Sequence, residues 1–81
     1  MTYHGLPEAI RAEASQADIT IATMARRMKR SRDVAADIVA DLLVADLIEV
    51  KSSSRNNEKF YRVTDKGYRV AAVQRPVWMA A

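Results

Sequence analysis

The chain has 81 residues, a formal net charge of +3 and no cysteine, and 49% of its residues are hydrophobic. This length and composition predict one small globular domain and exclude disulfides and thiol chemistry. No apolar run approaches the ~20 residues of a membrane span, and residues 1–5 lack the basic start of a signal peptide, so we expect a cytoplasmic protein.

Two amphipathic segments near the N-terminus predict helices. The first helix opens at Pro7, because proline is favoured at the first helical position, and it fades near residues 15–16. Asp18 or Thr20 caps the second helix, which ends near Lys29. Apolar residues recur every three or four positions in both segments, so each helix buries one face.

A third helix is predicted to begin at a Ser31 cap and to run to about Asp46. Asp33 lies in its first turn, where a negative charge is favoured. Its apolar residues fall in two neighbouring lines and predict a broad buried face, formed by Val34, Ile38 and Leu42 with Ala35, Val39 and Leu43 beside them.

A β-hairpin and a short helix complete the predicted elements. Residues 47–50 and 58–63 have the apolar and β-branched content of strands, and the polar segment between them predicts a long loop. Thr64 then caps a helix that ends near Gln74, and Pro76 stops it. The prediction is therefore one domain over residues 1–81, with a core at 6–74 and an apolar tail at 75–81.

Charge is distributed unevenly along the chain. Residues 26–32 carry +5 from Arg26, Arg27, Lys29, Arg30 and Arg32, whereas residues 33–49 carry −5 and residues 50–81 carry +5. Two basic clusters thus flank an acidic helix. Clustered basic residues favour a polyanionic partner.

Three segments resemble parts of a known architecture. Residues 21–28 (IATMARRM) are similar to the first helix of a helix-turn-helix motif, and residues 31–35 (SRDVA) to the start of its recognition helix. Residues 42–50 (LLVADLIEV) with 60–67 (FYRVTDKG) are similar to the strands and the T-x-K-G helix opening that follow. Together they resemble the winged helix-turn-helix domains of small prokaryotic and phage transcriptional regulators.

This resemblance implies an α+β fold that is mainly helical, with a three-helix core, a two-stranded wing and a short C-terminal helix. It also implies sequence-specific binding to double-stranded DNA, with the recognition helix at 31–46 in the major groove and the wing at 51–59 on the flank. Arg32 is the candidate for reading guanine. The candidate DNA-binding residues are Thr20, Thr23, Lys29, Arg30, Ser31, Arg32, Lys51, Arg55, Asn56, Asn57 and Lys59.

The sequence departs from the family pattern at two places. Lys29 and Arg30 occupy turn positions where the family has glycine and an apolar residue, which predicts a different turn geometry. Asp33, Asp37 and Asp41 lie on the helix face that would meet DNA, where carboxylates repel phosphates. The alternative is therefore a winged-helix module that binds a protein partner through this acidic face.

The remaining residues indicate neither an enzyme nor a cofactor site. His4 is the only histidine and has no ligand partners at metal-binding spacing, so no metal and no catalytic base are expected. The apolar tail has two interpretations: it folds onto the core of its own chain, or it forms a homodimer contact through Val77, Trp78 and Met79.

Overall fold

The computed structural model describes residues 5–16, 19–53 and 58–74. Its elements are α1 (Leu6–Glu13), α2 (Ile21–Met28), α3 (Arg32–Val44), β1 (Ile48–Ser53), β2 (Lys59–Val63) and α4 (Asp65–Ala71). Their types and order confirm the predicted fold class. Several residues named from the sequence lie outside the described ranges: His4, Asp18, Arg55, Asn56, Asn57, Pro76, Val77, Trp78 and Met79.

Hydroxyl caps fix the starts of three helices. The Thr23 amide donates to Thr20 Oγ1 at 3.0 Å and the Thr20 amide donates back to Thr23 Oγ1 at 2.8 Å, which closes a capping box on α2. The Val34 amide donates to Ser31 Oγ at 3.2 Å at the start of α3. Thr64 Oγ1 accepts from the amide at position 67 at 3.0 Å and starts α4. The predicted caps at Thr20, Ser31 and Thr64 are thus confirmed.

Strands β1 and β2 form an antiparallel hairpin with one irregularity. Val50 lies opposite Tyr61 but Ser52 lies opposite Phe60, so Lys51 is the extra residue of a β-bulge. Ile19, in the connection between α1 and α2, adds a single bridge through the Tyr61 amide, which donates to its carbonyl at 2.9 Å. This bridge joins the wing to the helical core and was not predicted from the sequence.

The core lies where the helices meet the root of the hairpin. Side chains from every element are buried there, and α1 packs against α4 while α2 packs against α3. One residue of the predicted buried face of α3 is wrong: Val34, in the first turn of the helix, is 41% exposed. The residues of α3 that are buried are Ala35, Ile38, Val39 and Leu42.

Helix α4 ends earlier than predicted. The predicted end was Gln74, but Ala72 adopts a left-handed conformation (φ 56°, ψ 40°) and its amide turns back to the carbonyls of Tyr68 and Arg69. The chain therefore leaves the helix at Ala71, and Pro76 is not what stops it. The sequence carries no glycine at this position that would have marked the stop.

We expect Ala72→Gly to raise the free energy of unfolding by about 0.5 kcal/mol, because glycine adopts the left-handed conformation without the steric cost that alanine bears there. Urea denaturation followed by circular dichroism measures this difference. The matched control is Ala71→Gly, one residue earlier in the buried last turn, which should lower stability. A less stable Ala72→Gly variant would contradict the prediction.

Candidate nucleic-acid interface

The turn between α2 and α3 has a left-handed residue at its centre. Lys29 has φ 55° and ψ 46°, the region that glycine adopts most easily. The amides of Lys29 and Arg30 donate to the carbonyls of Arg26 and Ala25, at 3.3 and 3.0 Å respectively. Lysine therefore occupies a left-handed position in this turn, and the predicted difference from the family's turn geometry stays a prediction.

Four cationic side chains around this turn are exposed to solvent. They sit at the end of α2, in the turn itself and at the first position of α3, so they surround the start of the third helix. Ser31, which caps that helix, is also exposed. The structure thus brings together the predicted residues Lys29, Arg30, Ser31 and Arg32, with Arg26 beside them.

Arg27, the fifth base of this cluster, has an internal partner. Its Nε donates to Glu13 Oε2 at 2.9 Å, and its Nη2 donates to Glu13 Oε1 and, at 3.2 Å, to Thr23 Oγ1. Glu13 is completely buried, whereas the Arg27 side chain is 26% exposed. The pair joins α1 to α2. Arg27 was predicted to belong to the basic cluster at residues 26–32, but its charge is paired inside the protein.

The two threonines predicted to contact phosphates, Thr20 and Thr23, make hydrogen bonds within the protein. Thr20 is only 3% exposed and its hydroxyl belongs to the cap of α2. Thr23 is half-buried, and its hydroxyl accepts hydrogen bonds from the Thr20 amide and from Arg27. The structure therefore places the Thr20 side chain beneath the surface, where its hydroxyl caps α2.

The outward face of α3 is acidic at two of the three predicted positions. Asp33 and Asp37 are exposed, and Ala40 lies exposed on the same side of the helix. Asp41 is half-buried and interacts within the protein. The acidic face is consequently shorter than the sequence spacing indicated.

The described part of the wing carries two exposed lysines. Lys51 is the bulged residue of β1, and Lys59 begins β2 on the other side of the loop. Arg62, by contrast, forms an ion pair with Glu49 directly opposite on β1. In the described residues no ion pair involves either lysine, and both side chains are exposed to solvent.

The described residues show no feature of a metal or membrane site. No group of three histidine, cysteine, aspartate or glutamate side chains among them could hold a metal ion. None of the helices within these ranges is long and apolar enough to cross a bilayer.

No protein-family model matches the chain, and no curated protein matches it. Solved structures do. MarR from Staphylococcus aureus, in complex with salicylate and kanamycin, has a TM-score of 0.73 and 25% identity, covering 86% of this chain and 47% of that chain. FabT from Streptococcus pneumoniae, in complex with DNA, has a TM-score of 0.74 and 14% identity, covering 85% and 49%.

MepR from S. aureus, a transcription regulator of the multidrug efflux pump MepA, has a TM-score of 0.73 and 14% identity, covering 88% of this chain and 53% of that chain. A variant of MepR has been solved with a bound oligodeoxyribonucleotide. This chain spans about half the length of these structures. With three core helices, an antiparallel wing and a fourth helix behind it, the chain is a winged helix-turn-helix domain with the fold of MarR-type transcription regulators.

Proposed function

We propose that this domain binds double-stranded DNA in a sequence-specific manner and acts as the DNA-binding domain of a transcriptional regulator. The observation that carries the proposal is the cluster of exposed cations around the α2–α3 turn, formed by Arg26, Lys29, Arg30 and Arg32. It surrounds the start of the helix that winged helix-turn-helix domains place in the major groove. The DNA complexes of FabT and MepR, which share the fold, support the proposal.

The two basic surfaces, at the α2–α3 turn and on the wing, have different roles in binding. Cations at the α2–α3 turn meet phosphates beside the groove and fix the register of α3, whereas the groove-facing side of α3 meets base edges. Lys51 and Lys59 reach the flanking backbone from the wing, and the predicted contacts at Arg55, Asn56 and Asn57 stay predictions. The ion pair between Glu13 and Arg27 joins α2 to α1 and so helps to position the first helix of the motif.

Salt dependence tests the proposal directly. If about four phosphates are neutralised, affinity for duplex DNA should fall about a hundredfold between 50 and 200 mM salt, because each contact releases counterions. Fluorescence anisotropy with a labelled duplex measures this. An affinity for DNA that salt leaves unchanged would contradict this mechanism. Retention of one stoichiometric basic protein and no DNA would favour the alternative, a protein-docking surface formed by Asp33, Asp37 and Asp41.

Arg32→Ala should remove the preference for one guanine. The guanidinium fork matches the two acceptors of guanine in the major groove, so its loss should reduce discrimination at that base pair about tenfold. Lys59→Ala should weaken binding to all duplexes alike, since it removes a phosphate contact. The control is Arg69→Ala, which removes an exposed cation on α4 and should change neither the base preference nor the overall affinity. Unchanged base preference in the Arg32→Ala variant would contradict the assignment.

We also propose that the regulator acts as a homodimer, because a twofold protein matches a twofold DNA site. The candidate contacts remain Val77, Trp78 and Met79 in the apolar tail.

A further inference from the structure

Asp37 occupies an unusual position for an aspartate. It is exposed in the middle of α3, five residues after Arg32 and seven before Val44. Aspartate is a poor helix former in a helix interior, where it neither caps the helix nor benefits from the positive end of its dipole. Within the described ranges its carboxylate makes no hydrogen bond and no ion pair. The folded chain therefore gives no internal reason for a carboxylate here.

The other two aspartates of this helix differ from it in this respect. Asp33 lies in the first turn, where the free amides at the helix start favour a negative charge. Asp41 is half-buried and interacts within the protein. Asp37 is thus the acid of this face whose partner has to be sought outside the described residues.

The neighbours of Asp37 allow a close approach to a surface. Ala36 precedes it, and Ala40 follows one turn later on the same exposed side. Because both side chains are short, neither holds the helix away from a base edge that a short aspartate must reach. Asp37 lies about 7.5 Å further along the helix axis than Arg32 and about 140° around it, so the two side chains contact different base pairs.

We infer that Asp37 determines specificity by accepting a hydrogen bond from the N4 amino group of cytosine in the major groove; this rests on the proposed function. A carboxylate only accepts, and the major groove offers donors on cytosine and adenine alone. On adenine the donor lies beside the N7 acceptor, which repels a carboxylate, so cytosine is the matching base. The same charge is repelled by the acceptor atoms that guanine and thymine present in the major groove, which penalises those bases at this position.

The experiment selects bound duplexes from a randomised library with the wild-type chain and three variants: Asp37→Asn, Asp37→Ala and Asp46→Asn. Asp46 is the matched control, because it lies just beyond α3 in a left-handed conformation that asparagine also adopts. The wild type should enrich one cytosine within about three base pairs of the guanine read by Arg32, by about tenfold. With Asp37→Asn, the selected duplexes should carry adenine in place of that cytosine, because an asparagine amide binds adenine with two hydrogen bonds.

Asp37→Ala should lose preference at that position alone, and Asp46→Asn should retain the wild-type sequence. Thermal denaturation shows that the variants are folded, and Asp37→Ala should be at least as stable as the wild type. A wild-type sequence that has no fixed cytosine, or a cytosine that survives both Asp37 substitutions, would overturn the inference while leaving DNA binding intact. A wild-type chain that enriches no sequence at all would overturn the proposed function itself, and the inference with it.

Discussion

Gly67→Ala should lower the free energy of unfolding by about 3 kcal/mol, since a methyl group at this position overlaps atoms that cannot move aside. A Cβ there would overlap the Leu47 carbonyl oxygen and lie 2.6 Å from Val63 Cγ1. The Leu47 oxygen is held in place because it accepts the Thr64 amide at 3.0 Å. Val63 is buried, 5% exposed. Urea denaturation followed by circular dichroism measures the loss.

The matched control for this substitution is Lys66→Ala. Lys66 is the adjacent residue of α4 and is exposed, so its truncation should change stability by no more than about 0.5 kcal/mol. If Gly67→Ala were as stable as this control, α4 would not lie against the backbone at Leu47 as the structure has it.

Arg27→Ala should also lower the free energy of unfolding by about 3 kcal/mol. The substitution leaves the Glu13 carboxylate in the interior without its counter-charge. The lower end of the usual cost for a broken buried pair applies, since the Arg27 side chain is itself 26% exposed. The exposed pair between Glu49 and Arg62 offers a comparison: its side chains are 47% and 54% exposed, so Arg62→Ala should cost less than about 1 kcal/mol.

A double variant separates the cost of a lone charge from the value of the pair. Replacing Glu13 by Leu and Arg27 by Met together should recover most of the stability that Arg27→Ala loses, because no unpaired charge then remains inside. Should the double variant be less stable than Arg27→Ala, the pair would contribute net stability and the reasoning from an unpaired carboxylate would be wrong.

Local signals predicted the helix starts well. Ser31 and Thr64 cap helices through hydrogen bonds within three residues, so their sequence neighbourhood contains the whole interaction. The end of α4 could not be predicted in the same way, because alanine at position 72 carries no sign of a left-handed conformation. Ile19 likewise gave no strand signal, since its bridge depends on where the hairpin returns in space.

The candidate site was predictable where exposure follows from a turn, as at Lys29, Arg30 and Arg32. It was not predictable where the same residue type could either make a contact inside the protein or bind a ligand. A threonine hydroxyl at a helix start serves equally as a cap or a phosphate contact, and the packing around Thr20 decides for the cap. An arginine in a basic run pairs with Glu13 only because α1 and α2 cross there.

The bridge between Ile19 and Tyr61 has a mechanical consequence. Ile19 directly precedes Thr20, which starts α2, and its carbonyl accepts the amide of a residue at the root of the wing. The hairpin and the first helix of the motif are therefore connected by one residue and one backbone hydrogen bond, which holds β2 beside the start of α2. In the proposed DNA complex, this connection sets the spacing between the wing and the helix-turn-helix motif, and with it which phosphates Lys51 and Lys59 can contact.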